Sequence, residues 1–420
     1  MAELSRRRHG RVERWTLSVE RWALMESPTI IFRNARLVFP DGIREGLEVD
    51  VREGKIAEIR DQSPRRQNEV VDVAGNYLAP GFIDLHVHGA RGRDTMEGSA
   101  EAFRTICDYH ASGGTTSLLL TTATAPLGVI ADVIEAVRRS KVAIKQIAGV
   151  HVEGPFISVA KRGAQREEFI QNPDSEAVDQ LLQHANTIKR ITIAPELAGA
   201  LEAIKKFCAR GISVSGGHSN TWDEEARAGF AAGMRSVTHT FNCMSSARKR
   251  GPYRVAGLLE YAMAEEGITC ELISDGCHVS RTLMKLLYRA KGPKGICLVT
   301  DAIAGAGLPE GAHFSLYGVE CVVMAGVGLQ TQQFALAGSI SRMIDLVRTM
   351  VEKVDVPLHE AMAMATLNPA RLIGLEAKGR LQIGADADLV VLSPELQVIE
   401  TFVAGESIFA DTRSGGFQPP

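Results

Sequence analysis

An imidazole and a carboxylate stand two positions apart in the short segment GVHVEGPF, residues 149–156. His151 and Glu153 alternate with two valines, and a Gly-Pro pair then ends the pattern. Because successive side chains of a strand point to opposite faces, His151 and Glu153 would share one face of a strand. Both residue types bind divalent metal ions, so the segment indicates a place where a cation could be held.

Other residues that bind metal ions end further apolar segments. His86 and His88 have strand spacing and could both reach one ion, whereas His218 and His239 are lone histidines. Buried imidazoles and carboxylates without a partner carry a large desolvation cost, which a divalent cation removes by coordinating them. The joint occurrence of Glu153 and these four histidines therefore predicts a metal site.

Two further segments carry groups suited to hydrolysis. Asp301 ends LVTDA, where its carboxylate could take a proton from water that a metal ion activates. The alternative for Asp301 is a cap on a following helix. In SDGCHVS, His278 is the better candidate for a contact with substrate, and Asp275 is equally suited to orienting its neighbours. These residues predict metal-assisted hydrolysis.

Eight apolar segments position these residues, and amphipathic stretches such as ALEAIKKFCARG separate them. We predict strands over residues 81–88, 116–122, 148–154, 190–196, 212–218, 236–242, 269–276 and 296–302. Eight strand–helix units in series predict an α/β fold, a (β/α)8 TIM barrel. Because the carboxyl ends of all barrel strands meet at one rim, barrel closure would gather the polar residues into one pocket.

The segments outside the barrel contain short strand patterns with Gly, Asp and Asn turns. We predict that residues 28–80 and 373–420 together form one small β-sandwich domain beside the catalytic barrel, residues 81–372. A hairpin is predicted over residues 313–328, after the last barrel strand. Residues 1–27 are expected to be a disordered N-terminal extension, with Met25 as an alternative start to Met1.

Composition excludes several functional classes. The chain has 420 residues, of which 45% are hydrophobic and 23% charged, and a net charge of -3. These values are typical of a soluble globular protein and give no basic excess for nucleic acid binding. No apolar run approaches the roughly 18 residues that span a membrane. Seven scattered cysteines without a CxxC pair are typical of reduced thiols, so we expect a cytoplasmic protein.

The motifs HxH, HVEGPF, GGHS, THTFN and TDA occur together with APGFIDLHVHG, NPARLIGL and GADADLVVL. On these motifs the chain resembles, from about residue 30 to 410, the N-acetylglucosamine-6-phosphate deacetylase family of the amidohydrolase superfamily. The resemblance implies hydrolysis of N-acetylglucosamine 6-phosphate to glucosamine 6-phosphate and acetate. The alternative substrates are N-acetylgalactosamine 6-phosphate or another N-acyl compound.

The resemblance also implies a set of metal ligands. Glu153, His218 and His239 would hold the principal ion, with glutamate in the place where many related amidohydrolases use a carboxylated lysine. His86 and His88 would add a second position, which some members of the family have lost. The implied cofactor is one or two divalent ions per chain, Zn²⁺ first, with Fe²⁺ or Mn²⁺ as alternatives.

Catalytic roles follow from the same resemblance. Asp301 would deprotonate the attacking water and later protonate the departing sugar amine, with His278 near the oxyanion. His151 is then expected in contact with the ligands or in the core. A catalytically silent sugar-phosphate sensor is the alternative from another functional class. Such a sensor would lack a ligand or the base, and this sequence retains all of them.

Two segments depart from the family pattern. KRGAQ stands where the family has KGAH, so Gln165 replaces a histidine that contacts the acetyl group and cannot titrate as that histidine does. FNCM stands where the family has FNAM, which leaves Asn242 and Cys243 as expected substrate contacts. Arg250 aligns with an arginine that reaches the substrate phosphate of a neighbouring subunit, so a homodimer is implied. Other basic residues flank Arg250, and a solvated charged loop is the alternative: Arg248, Lys249 and Arg254.

Overall fold

A computed structural model describes residues 29–62, 69–332 and 335–411. The predicted extension over residues 1–27, including Met25, lies outside the described residues. None of the helices in the described part of the chain is long and apolar enough to cross a membrane.

Eight parallel strands form the central sheet and follow one another in chain order. They are Phe82–Val87 (β1), Thr115–Thr122 (β2), Ile147–Glu153 (β3), Ile188–Ile193 (β4), Ser213–Gly216 (β5), Ser236–Val237 (β6), Thr269–Leu272 (β7) and Ile296–Leu298 (β8). A parallel bridge between Val87 and Ala302 joins β1 to the segment after β8 and so closes the cylinder. The predicted (β/α)8 barrel is confirmed.

Helices connect the strands and cover the outside of the barrel. They span Ala100–Ala111, Leu127–Ser140, Ser175–Leu182, Ala200–Ala209, Asp223–Ala232, Leu258–Ala264, Arg281–Lys291, Met343–Val354, Leu358–Ala365 and Leu367–Leu372. Side-chain caps fix two of their starts: Ser99 accepts from the backbone N–H of Ala102, and Asp174 accepts from that of Ala177. Their apolar faces and the outer faces of the strands share one large hydrophobic core.

Two further sheets form the sandwich beside the barrel. The first contains Ile30–Arg33, Leu47–Arg52, Lys55–Asp61 and Glu69–Asp72; the second contains Arg36–Phe39, Gly42–Arg44, Tyr77–Pro80, Leu389–Leu392, Val398–Val403 and Glu406–Ala410. Phe32 and Phe402 meet edge to face across the interface, with ring centroids 5.0 Å apart. Both terminal segments therefore contribute to the sandwich, as predicted. The exact domain boundaries stay predictions.

The later barrel strands end earlier than the sequence predicts. We expected β5, β6 and β8 to reach residues 218, 242 and 302, whereas they end at Gly216, Val237 and Leu298. The backbone φ angles of His218, His239 and Asp301 are +46°, +31° and +50°, in the left-handed region that breaks a strand. These three residues consequently lie on turns immediately beyond the strands.

An antiparallel sheet is inserted after β8. The predicted hairpin is confirmed in strands His313–Leu316 and Val319–Met324, and strands Val327–Gln330 and Leu336–Ser339 extend it to a four-stranded sheet. Its last strand bridges back to the barrel, because Ser339 pairs with Ala302. The insertion is thus attached to the rim at the residue next to Asp301.

Candidate active site

Five side chains predicted to bind metal converge at the carboxyl end of the barrel. Oε1 of Glu153 lies 3.1 Å from Nε2 of His239, 3.3 Å from Nε2 of His218 and 3.3 Å from Nε2 of His86. Oε2 of the same carboxylate lies 3.2 Å from Nε2 of His88. Glu153 is therefore shared by two triads, one with His86 and His88 and the other with His218 and His239.

The donor chemistry of both triads fits a divalent cation. The two Nε2 atoms lie 3.1 Å apart in the pair His86 and His88, and 3.0 Å apart in the pair His218 and His239. Nδ1 of His218 lies 2.8 Å from the carbonyl oxygen of Lys161, to which it donates, and this leaves the lone pair of Nε2 for an ion. Buried imidazole and carboxylate groups whose ligand atoms face one point form a metal site in chemical terms.

The charges in the site shift two pKa values in opposite directions. Burial raises the pKa of Glu153, but the imidazoles of His86 and His218 outweigh burial and hold that pKa well below its ordinary value. Burial lowers the pKa of His86, but the carboxylates of Asp301 and Glu153 outweigh it and raise that pKa. Glu153 is consequently ionised at neutral pH, as a metal ligand must be.

Asp301 lies beside the triad of His86 and His88. Its Oδ1 is 3.3 Å from Nε2 of His86 and 3.5 Å from Nε2 of His88, and its side chain lines the pocket. The alternative role as a helix cap is wrong, because the residues that follow Asp301 form turns and an antiparallel sheet. Asp301 therefore presents its carboxylate to the pocket beside His86 and His88, and its role as a base stays a prediction.

His278 lines the same pocket as the proposed metal ligands, and a hydrogen bond to Asp275 holds its ring. Nδ1 of His278 lies 2.6 Å from Oδ2 of Asp275, while Oδ1 accepts from the backbone N–H groups of Cys277 and His278. Nε2 of His278 is buried without a hydrogen-bond partner among the described residues. Burial lowers the pKa of His278, but the hydrogen bond and charge of Asp275 outweigh it, so the net shift is upward.

An Asp275→Asn variant is expected to move the alkaline limb of the kcat/KM profile to lower pH. The raised pKa keeps His278 protonated, and able to donate from Nε2, up to a higher pH than an isolated imidazole. Without the carboxylate the pKa falls, so the donor is lost earlier as pH rises. The measurement is kcat/KM from pH 5 to 10, with Asp355→Asn, an exposed carboxylate, as control. An alkaline limb that stays in place would contradict this role for Asp275.

Gln165 is hydrogen-bonded through both ends of its amide. Nε2 donates to Oε2 of Glu153 at 2.7 Å, and Oε1 accepts from the backbone N–H of Thr124 at 2.7 Å. Since a carboxylate only accepts and a backbone N–H only donates, these partners fix the orientation of the amide. Gln165 lines the pocket and orients the carboxylate of Glu153. Its contact with a substrate stays a prediction.

The remaining predicted substrate contacts divide into two groups. Asn242 and Cys243 line the pocket, and Nδ2 of Asn242 is a buried donor without a hydrogen-bond partner among the described residues. Arg250 lies outside the pocket of its own chain, on an antiparallel hairpin of strands Arg248–Arg250 and Tyr253–Val255. Its guanidinium pairs with Glu224 and lies 4.9 Å from the ring centroid of Trp222.

A buried polar layer lies beneath the metal ligands. Nε2 of His151 lies 2.8 Å from the hydroxyl of Thr192, which places His151 inside the barrel below His86. Arg190 and Glu271 are fully buried and form an ion pair of 2.6 Å. We did not single out this pair from the sequence, although a glutamate within the apolar segment TCELI is a signal for it.

Tyr317 is a pocket residue that sequence reasoning missed. It lies at the turn of the inserted hairpin, lines the pocket and places its hydroxyl 2.8 Å from Nδ1 of His88. Burial raises the pKa of Tyr317 well above its ordinary value, so the phenol is protonated at neutral pH. No motif marks a single tyrosine in an insertion, and the barrel pattern does not extend to it.

Known proteins are similar to this chain in sequence and fold. The sequence profile of the amidohydrolase family matches residues 77–408. An N-acetylglucosamine-6-phosphate deacetylase of Lysinibacillus sphaericus is 33% identical over 386 residues, which cover 90% of this chain and 97% of the relative. An N-acetylgalactosamine-6-phosphate deacetylase of Escherichia coli O157:H7 is 32% identical over 386 residues, with 90% and 99% covered.

A solved structure of a relative has the same fold. A mutant N-acetyl-D-glucosamine-6-phosphate deacetylase of Mycobacterium smegmatis, in complex with N-acetyl-D-glucosamine-6-phosphate, superimposes with a TM-score of 0.85 at 27% identity. The match covers 92% of this chain and 100% of that one. The chain belongs to the amidohydrolase family and, within it, to the N-acetylglucosamine-6-phosphate deacetylase family.

Proposed function

We propose that the protein hydrolyses the acetyl amide of N-acetylglucosamine 6-phosphate, releasing acetate and glucosamine 6-phosphate. The observation that carries the proposal is the convergence of Glu153, His218, His239 and Asp301 in one pocket, in a chain whose relatives carry this activity in their names. The five proposed metal ligands come from residues 86–239, and both their chemistry and the family resemblance favour them.

A divalent cation held by Glu153, His218 and His239 would act as a Lewis acid that polarises the acetyl carbonyl and lowers the pKa of water. We propose Zn²⁺ as this ion, because imidazole and carboxylate ligands suit it, with Fe²⁺ and Mn²⁺ as alternatives. His86 and His88, with Glu153, would hold a second ion. One or two ions per chain are therefore proposed.

The side chains of the pocket then have defined tasks. Asp301 takes a proton from water as the water oxygen attacks the carbonyl carbon, and His278 donates from Nε2 to the carbonyl oxygen as negative charge develops there. When the C–N bond breaks, Asp301 returns its proton to the leaving nitrogen, which gives the amine and acetic acid. At neutral pH the acid loses its proton and the amine takes one up, so the products leave as acetate and the ammonium form of the sugar. Asp275 keeps the His278 ring in position throughout.

Binding of the 6-phosphate requires a positively charged side chain, which the pocket does not supply. The described residues that line it include neither lysine nor arginine, although a phosphate needs positive charge nearby. We propose that Arg250 of a second copy of the chain supplies it, which makes the protein a homodimer. In support, Arg250 is exposed on its hairpin. The ring of Trp222 holds this hairpin in position, because the guanidinium groups of Arg248 and Arg250 pack against it, the former 4.0 Å from the ring centroid.

N-acetylgalactosamine 6-phosphate is the second candidate substrate. Two observations favour it: the relative with that name is nearly as similar in sequence, and Gln165 stands where the family has histidine. The amide of Gln165 has no titratable proton, so its contact with a sugar would differ from that of histidine. We place the reaction in the cytoplasm, because all seven cysteines are free thiols.

Turnover of four sugars tests the function. We expect kcat/KM for acetate release to be highest with N-acetylglucosamine 6-phosphate and lower with its galactosamine epimer. It should fall about 100-fold for either sugar without phosphate, because two charge-assisted hydrogen bonds of about 1.5 kcal/mol each are lost. An Arg250→Gln variant should lose this preference for phosphate, while Arg227→Gln, an exposed arginine nearby, should keep it.

Two outcomes of this comparison would count against the proposal. Equal kcat/KM with and without phosphate would exclude a sugar phosphate as the preferred substrate. A higher value for the galactosamine epimer would assign the second candidate instead. A chain that stays monomeric in solution would remove Arg250 from the phosphate site.

A further inference from the structure

Tyr317, which lies outside the barrel, contacts His88, one of the residues proposed to hold the second metal ion. Its hydroxyl lies 2.8 Å from Nδ1 of His88, on the far side of the ring from Glu153. The contact is made by the inserted sheet, so it is absent from the strand pattern that supplies the metal ligands. Tyr317 is the one described residue of the insertion that hydrogen-bonds to a proposed metal ligand.

The insertion holds Tyr317 firmly in this place. Leu316, Phe314 and Val323 belong to a small hydrophobic core against which the Tyr317 ring packs. The sheet is joined to the barrel by hydrogen bonds from the backbone N–H of Ile303 to the carbonyl of Ser339 at 3.1 Å and from that of Ser339 to Asp301 at 3.1 Å. Tyr317 is therefore fixed relative to the rim.

Tyr317 and Gly318 form the two-residue turn that joins strands His313–Leu316 and Val319–Met324. Their φ angles are +53° and +85°, and a two-residue hairpin turn of this kind requires positive φ at both positions. The turn therefore explains the backbone conformation of Tyr317, although small residues are usual at such a position. The bond to His88 gives this residue a task that glycine could not perform.

The hydrogen bond also fixes the proton of His88. A cation is bound by the lone pair of Nε2, so the single proton of the neutral ring must sit on Nδ1, where it needs an acceptor. The phenolic oxygen of Tyr317 is that acceptor. In His86, by contrast, Nδ1 lies 3.6 Å from Oε2 of Glu271, which is too long for a hydrogen bond.

We propose that Tyr317 is a positioning residue for the second metal ion: by accepting the Nδ1 proton of His88, it orients that imidazole and sets the affinity of the position formed by His86, His88 and Glu153. The inference rests on the proposed metal-dependent function. It assigns the inserted sheet a part in metal binding, in addition to closing one side of the pocket.

Metal counting on a Tyr317→Phe variant tests the proposal, since the variant removes only the hydroxyl. Metal-free protein is reloaded with Zn²⁺ and the bound ions are counted, and the affinity of each ion is measured by competition with a chelator. The wild type should hold two ions per chain. The variant should keep the affinity for the first ion and lose about 10- to 100-fold for the second, as for other outer partners of metal-ligating histidines.

The matched control is Tyr109→Phe. Tyr109 is a buried tyrosine whose hydroxyl donates to the carbonyl of Ile340, at 3.3 Å, and makes no hydrogen bond to a proposed metal ligand. This variant should hold two ions with unchanged affinities. Cobalt absorption spectra give a second readout, because the spectrum of the second ion should change in the Tyr317 variant alone.

Three results would overturn the proposal: one ion in the wild type, two ions of unchanged affinity in Tyr317→Phe, or equal weakening of both ions. The metal count is independent of turnover. If the wild type holds two ions but releases no acetate from amino sugars, the proposed function fails while the role of Tyr317 is still decided by the count.

Discussion

Asparagine in place of Asp301 is expected to lower kcat about 10³-fold, while the ion held by Glu153, His218 and His239 stays bound. The amide cannot accept a proton at the pH of the reaction, and a positioned base contributes typically 10²–10⁴-fold. The change preserves the shape of the side chain, so KM should change little. Acetate release gives kcat, and elemental analysis of the same samples gives the metal content.

The matched control for this variant is Asp94→Asn. Asp94 also lies near the rim, but it caps the short helix Thr95–Glu97, a task that asparagine performs equally well. Its kcat should therefore be close to that of the wild type. Unchanged turnover in Asp301→Asn would remove Asp301 from the role of base. Loss of the first metal ion in that variant would instead make Asp301 a ligand.

A Glu153→Gln variant should abolish both metal binding and turnover, with a larger loss of activity than in Asp301→Asn. In the wild type, the carboxylate of Glu153 is shared by the two triads, with Oε1 facing His218 and His239 and Oε2 facing His88. Glutamine has the same shape but no negative charge. The four buried imidazoles would then face a cation with Asp301 as the one carboxylate beside them, and this loss of a negative charge makes the bound state costly.

Metal content after dialysis against chelator measures this effect directly. Glu196→Gln is the control, because Glu196 accepts from Ser219 and from the backbone of Asn220 and is not a proposed ligand. It should retain both ions. If Glu153→Gln bound either ion as tightly as the wild type does, that triad would be excluded as the metal site.

The barrel and the convergence of the five proposed metal ligands could be predicted because their signals are local. Apolar segments mark the strands, and parallel strands bring their carboxyl ends together whatever the length of the chain between them. Glu153 was placed by this rule alone. The ends of β5, β6 and β8 were not, because the left-handed turns at His218, His239 and Asp301 depend on how these residues pack at the rim.

Contacts from outside the strand pattern could not be predicted. Tyr317 reaches His88 through the shape of an insertion, and no spacing in the sequence relates the two residues. The sequence predicts Gln165 as a pocket residue, but it does not indicate the hydrogen bonds of its amide to Glu153 and to the backbone of Thr124. Arg250 shows a third limit, since the phosphate contact proposed for it would lie in another copy of the chain, and the residues of its own pocket could not indicate it.

The pairing of Ala302 on both sides has an evolutionary consequence. Val87, which precedes His88, is its neighbour on one side, and Ser339 of the insertion is its neighbour on the other. A change in the length or tilt of the insertion would therefore pull on the backbone that carries Asp301. Mutations that reshape the inserted sheet to admit new sugars are expected to need compensating changes around Ala302. Transplanting the inserted sheet alone from a homologue should impair hydrolysis.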